Sequence, residues 1–401
     1  MQTHVTFSHD ISYPLICTQG AFDPGNQALA GVLSPDATGV ARVLVVIDGG
    51  LALAQPDLEA RIQAWFTAHR DQGRLLAASP AIVTGGEAAK QGLETVQQVA
   101  RLALEAGLCR HSYILAIGGG AMLDAVGMAA ALVHRGLRLV RMPSTVLAQN
   151  DAGVGVKNGV NWEGHKNALG CFAPPHAVVN DHDLLTSLSD RDWRAGIAEA
   201  FKVALIKDAD LLAWLLHRCP DLARRDLPTM AELVRRTALL HIDHIAHGGD
   251  PFETGSSRPL DFGHWAAHRL ETISRHRLNH GEAVAIGMAI DLGYAVRRLG
   301  FPATACSLIL DGLRSVGFQL WDPALELVDG HGQRRIYGGL EDFRAHLGGQ
   351  LTIAMPDGIG RRQDIHEIDT TTLDAVLEHL RSMAGSTAAP RARRPNSSSA
   401  T

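Results

Sequence analysis

"ILAIGGGAMLDAVGMAAAL", residues 114–132, decides the architecture. Ile114–Ile117 is an apolar run bounded by glycine, which reads as a buried strand. Gly118, Gly119 and Gly120 end it, and helical spacing follows from Ala121. A strand that passes through glycines into a helix presents backbone N–H groups with no Cβ in the way, a seat for a pyrophosphate. Glycines also make ordinary strand-to-helix turns, so this stretch alone leaves both readings open.

The same alternation continues on both sides. "RVLVVID" (42–48) is a strand ending in Asp48 and a Gly49–Gly50 turn, and "LEARIQAWFTAHR" (58–70) has helical spacing. "RLLAASPAIVTGG" (74–86) returns to strand, "EAAKQGLETVQQVARLALEAG" (87–107) to helix, and "LRLVRMP" (137–143) to strand. Strand–helix alternation of this kind predicts an α/β domain with a parallel, doubly wound sheet, over residues 1–180. Residues 1–40, broken by Pro14, Gly20, Pro24 and Gly25, read as an irregular β-rich edge. From 181 to 383 the readable segments are helical, with amphipathic stretches at 189–207, 228–247, 260–275 and 279–299, so an all-α domain is expected there. Residues 384–401, "AGSTAAPRARRPNSSSAT", lack periodicity and read as a disordered tail. Its "RARR" is either a contact for an anionic partner or a plain solvated run.

A chain of 401 residues is long enough for two domains with cores of their own. Its apolar share of 46% and charged share of 20% are those of a soluble globular protein. A net charge of -5 speaks against nucleic acid as a partner, because phosphate neutralisation needs a basic face. Cys17, Cys109, Cys171, Cys219 and Cys306 are scattered without CxxC spacing, which fits reduced thiols in the cytoplasm. No leader-like segment opens the chain and no apolar run reaches the length of a membrane span, so the expected location is the cytoplasm.

Three residues offer a metal shell. Glu199 in "AGIAEAFKVAL", His264 in "RPLDFGHWAAHRLE" and His280 before Gly281–Glu282 supply one carboxylate and two imidazoles. Catalytic zinc takes three such ligands and keeps a fourth position for water or substrate. His264 and His268, four apart, share a helix face and read equally as chelators or as surface histidines. Glu199 and Lys202 also share a face. An exposed ion pair is the bland reading, but Ile197, Phe201 and Val203–Leu205 around them point to burial, where a charged pair needs a partner or a task. The second glycine turn, "TGGEAAK" (84–90), adds Glu87 and Lys90 at a strand end. Residues 141–170 place Asp151, Lys157, Asn161, Lys166 and Asn167 among glycines, a long loop suited to a phosphate-bearing substrate.

These motifs, "TGGEAAK", "GGGAMLDAVG", "MPSTVLAQNDAGVGVKNGVN", "GHKNALGCF", "AGIAEAFK", "DFGHWAAH" and "NHGEAVAIGMA", occur in the order of the 3-dehydroquinate synthase family of sugar phosphate cyclases. The chain resembles that family from Val43 to about Leu380. The resemblance implies an N-terminal NAD-binding domain and a C-terminal helical domain. It implies Glu199, His264 and His280 as ligands of zinc or cobalt, and Asp48, Glu87, Lys90, Gly119, Gly120, Asp124, Ser144, Thr145 and Lys166 as the NAD contacts. Asp151, Lys157, Asn167, Lys202 and His268 fall on substrate-facing and catalytic positions, and Arg135 on one that reaches a second subunit, implying a homodimer. The implied chemistry is transient oxidation of an alcohol by NAD, phosphate elimination, return of the hydride, ring opening and aldol closure to a carbocycle.

Departures from the family pattern concern the substrate. Asp261 stands where shikimate-pathway synthases have Asn, and Ser257 where they have Arg, with Arg258 adjacent. "LLHIDHIAHGGD" (239–250) and "EDFRAHLGGQLTIAMP" (341–356) lack lysines that would face a substrate carboxylate, leaving Arg344 or His346 as stand-ins. Fewer cations weaken binding of an anionic carboxylate. The pattern is therefore more similar to secondary-metabolic branches, one of which cyclises sedoheptulose 7-phosphate to valiolone-type products and usually replaces the histidine matching His268. Retention of His268 is most similar to the 3-dehydroquinate-synthase-like member of Ebo gene clusters. A shikimate-pathway synthase, a metal-dependent polyol or glycerol phosphate dehydrogenase and a non-catalytic scaffold are the alternatives, which phosphate release from 3-deoxy-heptulosonate 7-phosphate alone, net NADH formation and silence on all heptulose phosphates would favour in turn.

Overall fold

A computed structural model describes residues 2–6, 10–248, 252, 260–346 and 349–387. In chain order its elements begin with β1 (Leu15–Thr18), α1 (Ala28–Val32), β2 (Ala41–Asp48), α2 (Gly49–Ala54), α3 (Leu58–Ala68), β3 (Arg74–Leu76) and β4 (Ala81–Val83). α4 (Glu94–Glu105), β5 (Tyr113–Gly118), α5 (Gly120–Leu132), β6 (Arg138–Pro143), β7 (Lys157–Trp162), β8 (His165–Phe172) and β9 (Ala177–Asp181) follow. Then come α6 (Asp190–Lys207), α7 (Ala209–Ala223), α8 (Leu227–His247), α9 (His264–Ile273), α10 (His280–Arg298) and α11 (Ala303–Ser315). α12 (Gly338–His346), β10 (Ile353–Pro356), β11 (Arg362–Ile365) and α13 (Thr370–Thr387) complete the chain. These fall into two units, Met1–Val203 with Pro220–Thr254, and Ala204–Cys219 with Gly255–Thr401.

The first unit is built on a parallel sheet in the order β1-β9-β6-β5-β2-β3, with β4 also pairing with β2. Successive residues of β2 serve opposite faces, as the two-residue strand period requires. Val43, Val45 and Ile47 pack with Ile62, Trp65 and Phe66 of α3, whereas Leu44 and Val46 pack with Val96 and Val99 of α4 and Met122 and Val126 of α5. Both faces are covered, so β5 is buried throughout and β2 is apolar and buried from Val43 to Ile47. The doubly wound sheet expected from the sequence is the one observed.

β2 and β5 run parallel, but the winding of successive strands across the sheet reverses between them; their ends Ile47 and Ile117 are register partners. Asp48 and Gly118 follow them directly, at the carboxyl edge where open α/β sheets bind ligands.

Three local differences have plain causes. The run 74–86 is two strands, because Pro80 removes an N–H donor just before β4. The helix expected from 87 is a short 3₁₀ turn over Gly86–Lys90, then α4, with Gly92 at φ +73 between them. Half of the long loop expected over 141–170 is β-structure, the end of β6 and then the antiparallel ribbon β7–β8. Its turn residues Glu163 and Gly164 both have positive φ, which a tight hairpin demands.

In the second unit α9 and α10 pack where two glycines meet. A Cβ on Gly287 would lie 2.0 Å from the Gly263 carbonyl oxygen, so neither helix tolerates a larger residue there. Gly293 meets Val376 of α13 in the same way. This unit is not purely helical, since β10 and β11 pair antiparallel from Ile353↔Ile365 to Pro356↔Arg362. α13 continues past Met383 to Thr387, into the stretch expected to be tail; residues 388–401 lie outside those described. Among the described residues no helix is long and apolar enough to cross a membrane.

Candidate active site

Asp48 caps α2, its Oδ1 accepting from the Gly50 N–H at 2.8 Å and the Leu51 N–H at 3.3 Å. A Cβ on Gly85 would sit 2.0 Å from that oxygen, and one on Gly118 would sit 2.8 Å from the Asp48 Cβ. Both glycine turns therefore close on one residue, Asp48. Gly119 is the N-cap residue of α5 and Gly120 opens it. Lys90, buried, pairs with Asp124 of α5 at 2.6 Å. Ser144 N–H donates to the Gly118 carbonyl, and the Thr145 hydroxyl oxygen accepts from Ala148 N–H, starting the single π turn Ala148–Ala152 that carries Asp151.

α6 approaches this turn through Gly196, where a Cβ would meet Leu147 N at 2.5 Å, and Asn150 Nδ2 donates to the Gly196 carbonyl at 2.8 Å. One turn further along α6, Glu199 and Lys202 form an ion pair, 3% and 5% exposed at their side chains. The exposed pair is thus excluded. Asp151 joins this group electrostatically and accepts from His241 Nδ1 of α8 at 2.8 Å. Burial favours the neutral acid, but the charges of His241 and Lys202 and the His241 hydrogen bond together hold the Asp151 carboxyl well below the usual carboxylate range. His241 was not singled out in the sequence; the only hint was a histidine in the segment that lacks the family's lysine.

Within the second unit His264 and His280 open α9 and α10, with ring centroids 5.4 Å apart; His268 lies 5.3 Å from His264 and 6.0 Å from His280. His264 Nδ1 is 3.0 Å from the Phe262 carbonyl, so that nitrogen carries the hydrogen and Nε2 holds the lone pair. His280 Nδ1 faces Glu271 Oε1 at 3.4 Å. A carbonyl or carboxylate behind each ring is how ligating histidines are oriented, and the pair fits a divalent metal. Asn279 and Glu282 make a capping box that fixes the start of α10. Asp291 of α10, fully buried, accepts from Gly263 N–H at 2.9 Å and Trp265 Nε1 at 2.8 Å, clamping both neighbours of His264.

Glu87, Arg135, Lys157, Asn167 and His268 are exposed, and Lys166 is half-buried. Arg135 and Asn167 have φ of 62° and 51°, and Asn167 N–H donates to Asn161 Oδ1 at 3.0 Å. Arg344 sits on α12 with its guanidinium on Glu341 at 2.9 Å. Ser257, Arg258 and the side chain of His346 lie outside the described residues.

The 3-dehydroquinate synthase N-terminal model matches residues 80–195 and the C-terminal model residues 196–329. A 2-epi-5-epi-valiolone synthase of Streptomyces glaucescens is 33% identical over 381 residues, covering 92% of this chain and 91% of its own. A 3-dehydroquinate synthase of Acidithiobacillus ferrooxidans is also 33% identical, over 303 residues, 74% of this chain and 81% of its own. Among solved structures, the 2-epi-5-epi-valiolone synthase of Streptomyces hygroscopicus subsp. jinggangensis with NAD+ and Zn2+ bound matches with a TM-score of 0.83 and 29% identity, covering 95% of this chain and all of that one. With its motifs, its sheet order and these matches in agreement, the chain belongs to the 3-dehydroquinate synthase family of sugar phosphate cyclases.

Proposed function

We propose that this protein is an NAD- and divalent-metal-dependent cyclase that converts a heptulose phosphate to a carbocycle with elimination of phosphate, formally a carbon–oxygen lyase. The observation that carries the reading is the buried Glu199–Lys202 pair with Asp151 and His241 beside it. Burying so many charges together is costly for stability alone, and such groups gather where protons are moved.

In this reading Glu199, His264 and His280 hold the metal, and residues 1–180 bind NAD through Asp48, Glu87, Lys90, Gly119, Gly120, Asp124, Ser144, Thr145 and Lys166. When bound, the metal polarises adjacent hydroxyls and the nicotinamide takes up and returns a hydride. The chain's own residues do the remainder. Lys157, Asn167 and His268 hold the phosphate; Lys202, paired with Glu199, and Asp151, kept ionised by His241, manage protons at the reacting carbons. Residues 181–383 act as the metal- and substrate-binding domain. Arg135 completes the site of a second copy in a homodimer, and the enzyme works in the cytoplasm, consistent with five unpaired cysteines.

A secondary-metabolic substrate is favoured. At equal identity, the valiolone synthase likeness runs over 92% of this chain and the dehydroquinate synthase likeness over 74%. The segment 239–250 offers His241, engaged by Asp151, in place of a lysine, and Arg344 is engaged by Glu341. The test is to offer sedoheptulose 7-phosphate and 3-deoxy-heptulosonate 7-phosphate separately to the NAD- and zinc-loaded protein and identify the carbocycle by mass spectrometry. A product from the first alone is expected; one from the second alone makes this a dehydroquinate synthase.

A further inference from the structure

Arg141 is 0% exposed in the middle of β6, and among the described residues no carboxylate pairs with its guanidinium. Its partners are three backbone carbonyls and one side-chain amide. Its Nη1 donates to the carbonyls of Gly153 (3.3 Å) and Gly155 (2.9 Å), and its Nη2 to the carbonyl of Lys157 (2.8 Å) and to Asn158 Oδ1 (2.6 Å).

Residues 153–156 are buried and belong to no regular element, lying between the Asp151 turn and β7. Buried carbonyls there need donors from elsewhere. Each carbonyl from Gly153 to Lys157 has a donor. Arg141 serves Gly153, Gly155 and Lys157; the Tyr13 hydroxyl serves Val154 at 2.8 Å; Ala173 N–H and Asn158 Nδ2 serve Val156 at 2.9 and 3.2 Å. Asn158, held by Arg141, also donates to the Ala173 carbonyl, tying the segment to the end of the β7–β8 ribbon. α5 comes close enough to enclose this knot because residue 127 is glycine; a Cβ there would lie 1.8 Å from Asn158 Oδ1.

We propose that Arg141 is a positioning residue for the reaction, a rigid fork that fixes the path of the chain from Asp151 to Lys157 and so sets where the phosphate-holding ammonium stands relative to the acid. This rests on the proposed roles of Asp151 and Lys157. A flat guanidinium can serve several carbonyls in one plane, and lysine, with a compact ammonium, cannot reproduce that. A purely apolar residue would leave the carbonyls orphaned.

The experiment compares the wild type, R141K, K157A and R141K/K157A as full chains, with R141Q beside R141K so that one mild replacement is folded. Hydrogen–deuterium exchange of the metal-free proteins is read first. R141K is expected to speed exchange at residues 153–158 more than tenfold and leave residues 41–48 unchanged. Phosphate release from sedoheptulose 7-phosphate by the NAD- and zinc-loaded forms is read second. R141K is expected to lower kcat/KM at least tenfold, with a raised KM, and the double variant to lose less than the product of the two single losses. Unchanged exchange at 153–158, or losses that simply multiply, would overturn the proposal. If the wild type releases no phosphate from any heptulose phosphate, the cyclase reading fails, while the exchange comparison still decides whether Arg141 fixes the segment.

Discussion

His241 Nδ1 lies 2.8 Å from Asp151 Oδ1, joining α8 to the π turn that follows β6. The contact explains how a carboxylate in a site that disfavours charge stays ionised: the imidazole and Lys202 outweigh the burial.

Replacing His241 by leucine removes that support. The Asp151 pKa then rises, and the acid limb of kcat/KM moves to higher pH with about a tenfold to hundredfold loss at neutral pH. Because the folded pKa is depressed, the stabilisation is present above the ordinary carboxylate range and is lost as pH falls through the folded value. H241L should therefore be about 2 kcal/mol less stable at neutral pH and lose less stability on acidification. Urea unfolding from neutral to acid pH checks this; parallel curves for the two proteins would show that His241 leaves Asp151 untouched.

The Glu199–Lys202 pair is buried enough for its halves to depend on each other. K202M removes the ammonium from beside a buried carboxylate and should cost about 3–5 kcal/mol in the metal-free protein. The double variant E199Q/K202M removes both charges and should recover much of that. Denaturant unfolding of the set measures it, and a K202M loss below about 1 kcal/mol would mean the pair behaves as a solvated one.

How much of this was legible beforehand depended on periodicity. The strands β2, β5 and β6 are mainly apolar, and their two-residue period serves two cores, so the doubly wound sheet could be read directly. The ribbon β7–β8 could not, because its second strand is largely exposed, opens on the polar run His165–Asn167 and reads as loop. Glu199, Lys202, His264 and His280 stood out as chemistry-bearing types in motifs. His241 and Arg141 did not, since one sits among other histidines of an ordinary helix and the other in an apolar strand, and only long-range packing reveals their partners.

Glu271 stands behind His280 at 3.4 Å and is itself buried. E271Q should weaken zinc binding about tenfold to hundredfold by removing the carboxylate that orients the ring. Competition with a chelator gives the affinity directly. An unaltered affinity would deny His280 its support from Glu271.

Burial raises the Asp291 pKa to about 7, against hydrogen bonds from Trp265 and Gly263 that favour the ionised form. A folded pKa above the unfolded one imposes no penalty below the ordinary carboxylate value and a growing one as pH rises to about 7. The metal-free wild type should therefore lose stability relative to D291N across that window and run parallel to it above. Thermal unfolding at a series of pH values tests this, and a constant difference through the window would show that Asp291 does not titrate there.

The ratio of NADH to phosphate during turnover of a heptulose phosphate by the NAD- and zinc-loaded protein separates a cyclase from a dehydrogenase. A cyclase that returns its hydride releases phosphate over many turnovers while NADH never accumulates beyond the enzyme present. NADH rising in step with substrate consumed, with no phosphate set free, would rule out the cyclase and make the protein a dehydrogenase.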